Sequence, residues 1–249
     1  MSKKVVLITG ALAGIGRATA LAFAQQGARV VVAGRREDAG TALAKELLAK
    51  GAEAAEFVKV DVRHDDQVRA MVDRTVKLYG RLDVAINNAG AVGTPGPLIS
   101  QTQESYAAVF DTNVLGVLLS MKYELDVMLK HGSGNIINIS STFGQRGGIG
   151  ASIYAASKHA VEGLSKAAAL EAAAAGVRVN VVAPGPVDTD LLDQFSGSPE
   201  RKAALAAGVP LKRLGTPEEI AESIVFMASD KASFITGAVL SVNGGKTAL

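Results

Sequence analysis

Cysteine is absent from the 249 residues, which rules out disulfides, a thiolate nucleophile and a Cys-ligated zinc. Tryptophan is absent as well, and aromatic residues make up only 4% of the chain. Neither sign of charge dominates: 26 Lys and Arg stand against 24 Asp and Glu, a net +2 that is too small to argue for a nucleic-acid surface. The three histidines, His64, His131 and His159, show no metal-ligand spacing. No apolar run reaches the roughly 18 residues of a membrane helix. The opening Met1-Ser2-Lys3-Lys4 runs into a strand pattern rather than the apolar core of a signal peptide. These features point to a soluble cytoplasmic chain without nucleic-acid or membrane partners. What remains is a composition 48% hydrophobic and rich in Ala and Gly, long enough for one large domain with a buried core.

Short apolar, β-branched runs alternate with amphipathic stretches. Strands are expected at residues 4–9, 29–33, 56–60, 82–86, 135–139, 177–182 and 238–242. Helices are expected at 15–26, 37–50, 65–79, 102–130, 152–175 and 217–229. Glycines close several of the helices: Gly27, Gly51, Gly80 and Gly176. Such alternation predicts an α/β fold, a parallel sheet covered by helices on both faces. The one long irregular connection, 184–210, reads as a lid or binding element.

The first strand runs into Thr9-Gly10-Ala11-Leu12-Ala13-Gly14-Ile15-Gly16 and then a helix. Gly10 permits a tight turn. Gly14 and Gly16 let a pyrophosphate approach free N–H groups at the helix N-terminus. The spacing is G-x-x-x-G-x-G, not the common G-x-G-x-x-G, and a close-packed turn would also use these glycines. The second strand ends in Gly34-Arg35-Arg36 with no acidic residue. A carboxylate would bind a ribose 2′-hydroxyl, whereas Arg35 would pair with a 2′-phosphate. NADP(H) is thus favoured over NAD(H), although both arginines also fit a solvated loop.

Tyr154 and Lys158 stand at i and i+4, one above the other on a helix face. An ammonium beside a phenol stabilises the phenolate and lowers a pKa that is ordinarily about 10. Ser141 lies thirteen residues upstream, and its hydroxyl would polarise a carbonyl beside the tyrosine. Alone, Y-x-x-x-K also fits a solvated surface pair.

Together these motifs resemble the short-chain dehydrogenase/reductase (SDR) family over nearly the whole chain. Thr9–Gly16 matches its T-G-x-x-x-G-x-G, and Asn87-Asn88-Ala89-Gly90 its N-N-A-G. Asp111-Thr112-Asn113-Val114 carries its asparagine, Ser140-Ser141 its serine, and Tyr154–Lys158 its Y-x-x-x-K. Pro184-Gly185 matches its P-G. Residues 210–215 and 217–220 match its C-terminal signature. The resemblance implies a single-domain Rossmann-type doubly wound sheet of about seven strands. Residues 1–90 would form the nucleotide-binding half, 91–249 the catalytic and substrate half, and 186–210 the lid. It implies hydride transfer between a nicotinamide cofactor and a carbonyl or secondary alcohol.

In the roles it assigns, Tyr154 is the general acid or base, and Lys158 binds the nicotinamide ribose and depresses the tyrosine pKa. Ser141 binds the substrate oxygen, and Asn113 holds a water that relays protons. Cofactor contacts are implied at Gly10, Leu12, Gly14, Ile15 and Gly16, and at Arg35, Arg36, Asp61 and Val62. The remainder are Asn88, Ala89, Gly90, Pro184, Gly185, Val187 and Thr189. Asp61 would contact the adenine, and Thr189 the nicotinamide carboxamide. Leu12 and Ala13 replace serines common in the glycine loop, and no basic residue sits just before Gly14. Asn243-Gly244-Gly245 stands where Asp-Gly-Gly is common, and is expected to affect C-terminal contacts.

Substrate lining is expected from Phe143, Gln145 and Ile149, with Leu191 and Phe195 from the lid, around Ser141 and Tyr154. Their balance suggests an apolar or aromatic ketone more than a sugar or an acid. The alternative is a 3-oxoacyl thioester on an acyl carrier protein or coenzyme A, but residues 130–135 and 172–176 lack the arginines a carrier would dock on. A cofactor-sensing protein without catalysis would lack the tyrosine or the lysine, and both are present. Family members are usually homotetramers.

Overall fold

The computed structural model describes residues 3–248. Met1, Ser2 and Leu249 lie outside the described residues, including the first half of the opening tetrapeptide. Seven strands form one parallel sheet: β1 (Val5–Thr9), β2 (Arg29–Gly34), β3 (Ala54–Lys59), β4 (Val84–Asn87), β5 (Gly134–Ile139), β6 (Val177–Pro184) and β7 (Val239–Val242). Their spatial order is β3-β2-β1-β4-β5-β6-β7. The order reverses between β1 and β4, which makes their C-terminal ends the switch point of a doubly wound sheet.

All five residues of β1 are buried, as a strand covered on both faces requires. Its side chains alternate between two cores. Val6 and Ile8 pack with Phe23 of α1 (Gly14–Gln25) and with Ile220 and Ile224 of α9 (Pro217–Ala228). Leu7 packs on the other face with Met71 of α3 (Asp65–Tyr79), Val117 of α5 (Gly116–His131) and Val161 of α6 (Ser152–Ala172). Each such fully buried aliphatic side chain contributes about 1.5–3 kcal/mol relative to exposure. Helix α2 (Glu37–Ala49) lies against β3 through Gly40, where a Cβ would collide with the ring of Phe57.

Two expectations need correction. The expected helix over 102–130 is divided: α4 (Gln103–Phe110) passes through a π turn, Asp111–Leu115, before α5 begins. Nothing in the apolar periodicity marks that turn, and it falls at Asn113. The connection 184–210 is not irregular, for it holds α7 (Asp190–Ser196) and α8 (Pro199–Ala207). Thr189 caps α7 and Ser198 caps α8, each accepting a backbone N–H three residues on, and Pro199 sits in the first turn of α8. Those residues read as loop formers, yet Thr, and Ser before Pro, equally mark helix starts. Gly197 separates the two helices at φ 70°. Strand register brings Thr9, Ala33, Asn87 and Asn138 to one level at the C-terminal edge, and the functional loops leave from there.

Candidate active site

The turn after β1 is sewn to the turn after β4. Asn88 Nδ2 donates to Thr9 O at 3.1 Å and to Gly10 O at 2.9 Å. Thr9 Oγ1 accepts from the N–H groups of Asn88 and Ala89 at 3.1 and 3.2 Å. Close approach makes glycine obligatory here. A Cβ on Gly10 would lie 2.7 Å from Ala89 Cα, and one on Gly16 would lie 2.4 Å from Gly10 O.

Helix α1 then starts at Gly14, after Ala13 at the N-cap, without a side-chain cap or an acidic residue in its first turn. Its orphan N–H groups and dipole face outward, which suits a pyrophosphate. Leu12 lies over Gly34, and Ile15 is partly buried against the core. Arg35 and Arg36 are exposed, and among the described residues neither has an ion-pair partner. Asp61 is held by Arg63 at 2.6 Å, and that hydrogen bond draws its carboxyl down to about 2. Val62 is buried against Gly116. The residues present therefore fit a dinucleotide.

Helix α6 carries Tyr154 and Lys158, and the strand-to-turn passage Ile139–Gly144 faces them. The two serines of that passage have separate tasks. Ser140 is buried and donates to Glu162 Oε1 at 2.8 Å. Ser141 accepts from Phe143 N–H at 3.2 Å, and its hydroxyl stands near enough to Tyr154 to favour the ionised phenol.

The lysine behaves differently from the expectation. Lys158 is 5% exposed, donates to Ile139 O at 2.9 Å and stands 5.7 Å from the centre of the tyrosine ring. Burial lowers its pKa to about 8, and burial pushes the Tyr154 phenol up to about 12, with the Ser141 hydroxyl opposing only in part. In this structure desolvation outweighs the Ser141 influence, so the phenol keeps its proton at neutral pH.

Asn113 is fully buried. Its Oδ1 accepts from Ala91 N–H at 2.7 Å, and its Nδ2 donates to Ala91 O at 2.8 Å and Ser157 Oγ at 3.0 Å. Both amide protons are engaged, leaving one Oδ1 lone pair for a water. A Cβ on Gly90 would lie 3.4 Å from that Oδ1 and 3.7 Å from Lys158 Nζ. Glycine therefore keeps the space between them open.

On the substrate side, Phe143 meets Tyr154 edge-on at 6.1 Å between ring centres, and Phe195 of α7 at 5.9 Å. Leu191 is 38% exposed on the same helix. Two expected lining residues turn away. Ile149 projects wholly into solvent from a glycine-rich loop tied down by the Gly96 N–H to Gly150 O bond. Gln145 is exposed and accepts from Ser241 Oγ at 3.1 Å. A narrow recess of about 10 Å³ lies beside Tyr154, between residues 92–94, Gln101, Ser105 and residues 150–153. A larger cavity of about 140 Å³, between Val187, Leu211, Ile220 and Val242, contains none of the four expected catalytic residues.

Pro184 ends β6, and Gly185 donates to Val242 O at 3.0 Å. Val187 is buried and pairs with Gly215. Thr189 Oγ1 accepts from Leu192 N–H at 3.3 Å. Lys202 reaches Asp188 at 2.6 Å and Asp193 at 2.7 Å, which ties the lid helices to this segment. Asn243 closes the C-terminal turn by accepting from the N–H groups of Gly245 and Lys246. Sequence reasoning missed Glu162, Ser157 and the buried Glu124. Ser157 is an unspecified position within the Y-x-x-x-K, Glu162 and Glu124 sit one helical turn or more from a motif, and a lone acid or serine in a helix carries no signal of its partner.

A doubly wound sheet with an uncapped glycine turn at its switch point, and a Ser–Tyr–Lys group beside it, defines a nicotinamide-dependent oxidoreductase. A family model described as "Enoyl-(Acyl carrier protein) reductase" matches residues 10–247. A cis-4-hydroxycyclohexanecarboxylate dehydrogenase of Sinomonas cyclohexanicum is 42% identical over 249 residues, covering 100% of this chain and 98% of the relative. A 3-oxoacyl-(acyl-carrier-protein) reductase FabG of Chlamydia muridarum is 41% identical over 242 residues, covering 97% and 96%. The solved structure of ElxO with NADP bound has a TM-score of 0.93 at 37% identity and covers 100% of both chains. The chain belongs to the short-chain dehydrogenase/reductase family and is an oxidoreductase of the alcohol–carbonyl couple. Among the described residues, no helix is long and apolar enough to cross a membrane, and no group of three His, Asp or Glu could hold a metal ion.

Proposed function

We propose that this protein is an NADP(H)-dependent ketone reductase, or in reverse a secondary-alcohol dehydrogenase, for small apolar or aromatic substrates. The carrying observation is the junction of Ser141, protonated Tyr154 and the Phe143–Phe195 wall. The cofactor supplies or accepts the hydride when bound. Gly10, Gly14 and Gly16 admit its pyrophosphate to the start of α1, with Leu12, Ile15 and Asn88–Gly90 shaping the turn. Arg35, with Arg36 beside it, is available for a 2′-phosphate because among the described residues no carboxylate forms an ion pair with it, the nearby Asp61 being held by Arg63. Asp61 and Val62 border the adenine side. Pro184, Gly185, Val187 and Thr189 border the nicotinamide side.

Ser141 orients the carbonyl oxygen. Tyr154, kept neutral by burial, delivers its proton to that oxygen in reduction and takes it back in oxidation. Lys158 holds the ribose, and its lowered pKa suits it to pass a proton on. The open lone pair of Asn113, facing Lys158 across Gly90, suits a relaying water. The phenyl rings of Phe143 and Phe195 keep bulk water from the reacting carbonyl. In this reading residues 1–90 serve the nucleotide and 91–249 the substrate, with 186–210 as lid. The same reading places a homotetramer in the cytoplasm. Exposed Leu118 and Leu129 on α5 and Leu170 on α6 suit helix packing between subunits.

A second reading, reduction of a 3-oxoacyl thioester, is favoured by the FabG relative. Against a carrier-protein partner, the exposed Lys130 is already paired with Asp126 at 2.7 Å. Cofactor oxidation with NADPH and with NADH, against aryl ketones, cyclic ketones, sugars and acetoacetyl thioesters, tests the proposal. Turnover of hydrophobic ketones with NADPH preferred supports it. Turnover confined to thioesters overturns it.

A further inference from the structure

A buried polar chain crosses the middle of the molecule directly below the functional loops. Glu124 of α5 is fully buried, and its Oε2 accepts from Asn87 Nδ2 at 2.9 Å. The same Nδ2 donates to Asn138 Oδ1 at 2.9 Å. Asn138 Nδ2 donates to Ser165 Oγ at 2.8 Å, and Ser165 to Val161 O at 2.6 Å. The chain thus joins α5, β4, β5 and α6. Asn87 and Asn138 face each other in register at the last step of the β4–β5 ladder. Asn88, which grips the glycine turn, follows the first, and Ser141 lies three residues beyond the second.

Two atoms of this chain have no hydrogen-bond partner among the described residues, Glu124 Oε1 and Asn87 Oδ1. Both are acceptors if the carboxyl is ionised. A buried carboxylate with one hydrogen bond and no cation is strongly unfavourable. A proton on Oε1 converts one orphan acceptor into a donor, and the second orphan belongs to the very residue Glu124 already bonds.

We infer that Glu124 is a positioning residue that works as a neutral, proton-bearing acid. It fixes Asn87, and through it Asn138, so that β4 and β5 present Asn88 and Ser141 at constant height. It touches neither substrate nor cofactor, and its effect on turnover rests on the function proposed above.

Charged groups on the surrounding elements are engaged elsewhere. On α6, Lys158 bonds Ile139 O and Glu162 bonds Ser140. On α3, Asp65 is held by Lys122 and Tyr123. On α5, Asp126 pairs with Lys130. On β6, Arg178 donates to the carbonyls of Met227, Ser229 and Ile235. Burial raises the Glu124 carboxyl to about 7, and the Asn87 bond is the one opposing influence.

The sign follows from linkage. Unfolded, the group ionises near 4.3, and folded it ionises higher. Its stabilisation is therefore complete below about pH 4.3, declines as pH rises toward 7 and is level beyond.

The test compares urea unfolding, NADPH binding and turnover of wild type, Glu124→Gln and Glu124→Leu from about pH 5 to pH 8. Gln supplies both a donor and an acceptor to Asn87. The ratio of the wild-type to the Glu124→Gln folding constant should fall about tenfold per pH unit up to about pH 7. Turnover by Glu124→Gln should persist. Glu124→Leu should weaken NADPH binding and turnover together, or fail to fold. A ratio that stays constant with pH overturns the inference, as does a folded Glu124→Gln without turnover. Unfolding and NADPH binding need no substrate, so they judge Glu124 even if the substrate proposal fails.

Discussion

The turn after β1 and the lid after β6 both border the site, yet they are held by different forces. The turn is locked by Asn88 bonding two main-chain carbonyls, by Thr9 accepting two N–H groups, and by glycines with no room for a Cβ. The ends of the lid are anchored by the Val187–Gly215 pairing and the buried Val209, but its helices are joined by Lys202 between two half-exposed aspartates and meet the body through one tilted contact between Phe143 and Phe195. Buried hydrogen bonds are costly to break, whereas exposed ion pairs are screened. A common cofactor needs a fixed cradle. A lid that must admit substrate and release product is drawn from the weakly held end of the structure.

Gly16→Ala is the strongest way to break the contrast. Its Cβ would fall 2.4 Å from Gly10 O and 2.5 Å from Asn88 Nδ2. We expect a loss of about 1–3 kcal/mol in unfolding free energy, as for other overpacked sites, and loss of NADPH binding by calorimetry. Stability and binding both near wild type would show that the turn is not rigid. Arg35→Ala probes the exposed rim of the same cradle. It should weaken NADPH on the order of tenfold, the worth of one charge-assisted contact, and leave NADH unchanged. Equal weakening of both cofactors would remove the 2′-phosphate argument. Phe195→Ala should have the smallest effect. Losing one ring contact is worth about 0.5–1.5 kcal/mol, so the ketone KM should rise several-fold while the Tm falls by no more than a few degrees. A large fall in Tm would mean that the lid is a structural element after all.

The strands were legible because the central ones are short buried runs rich in Val, Ile and Ala bounded by turn residues, while the edge strands β3 and β7 are only partly buried, and most boundaries moved by only a residue or two. The cofactor turn was legible because glycine spacing follows from main-chain geometry alone. The lid helices were hidden by their own caps, since Thr189, Ser198 and Pro199 read as loop. The π turn at Asn113 was hidden because apolar spacing runs on through it. The tyrosine pKa was not legible because it depends on how dry the site is and where Lys158 points, and spacing encodes neither. Glu124 carried no motif at all; its meaning lies in Asn87, which is far along the chain and adjacent in space.

The central claim is that Tyr154 is the proton donor beside Ser141. The most direct measurement pairs single-turnover oxidation of NADPH by a hydrophobic ketone with NADPH affinity in Tyr154→Phe. The account predicts that turnover disappears while affinity is largely unchanged, because the ring and its contact with Phe143 remain. Turnover near the wild-type rate in that variant would contradict it.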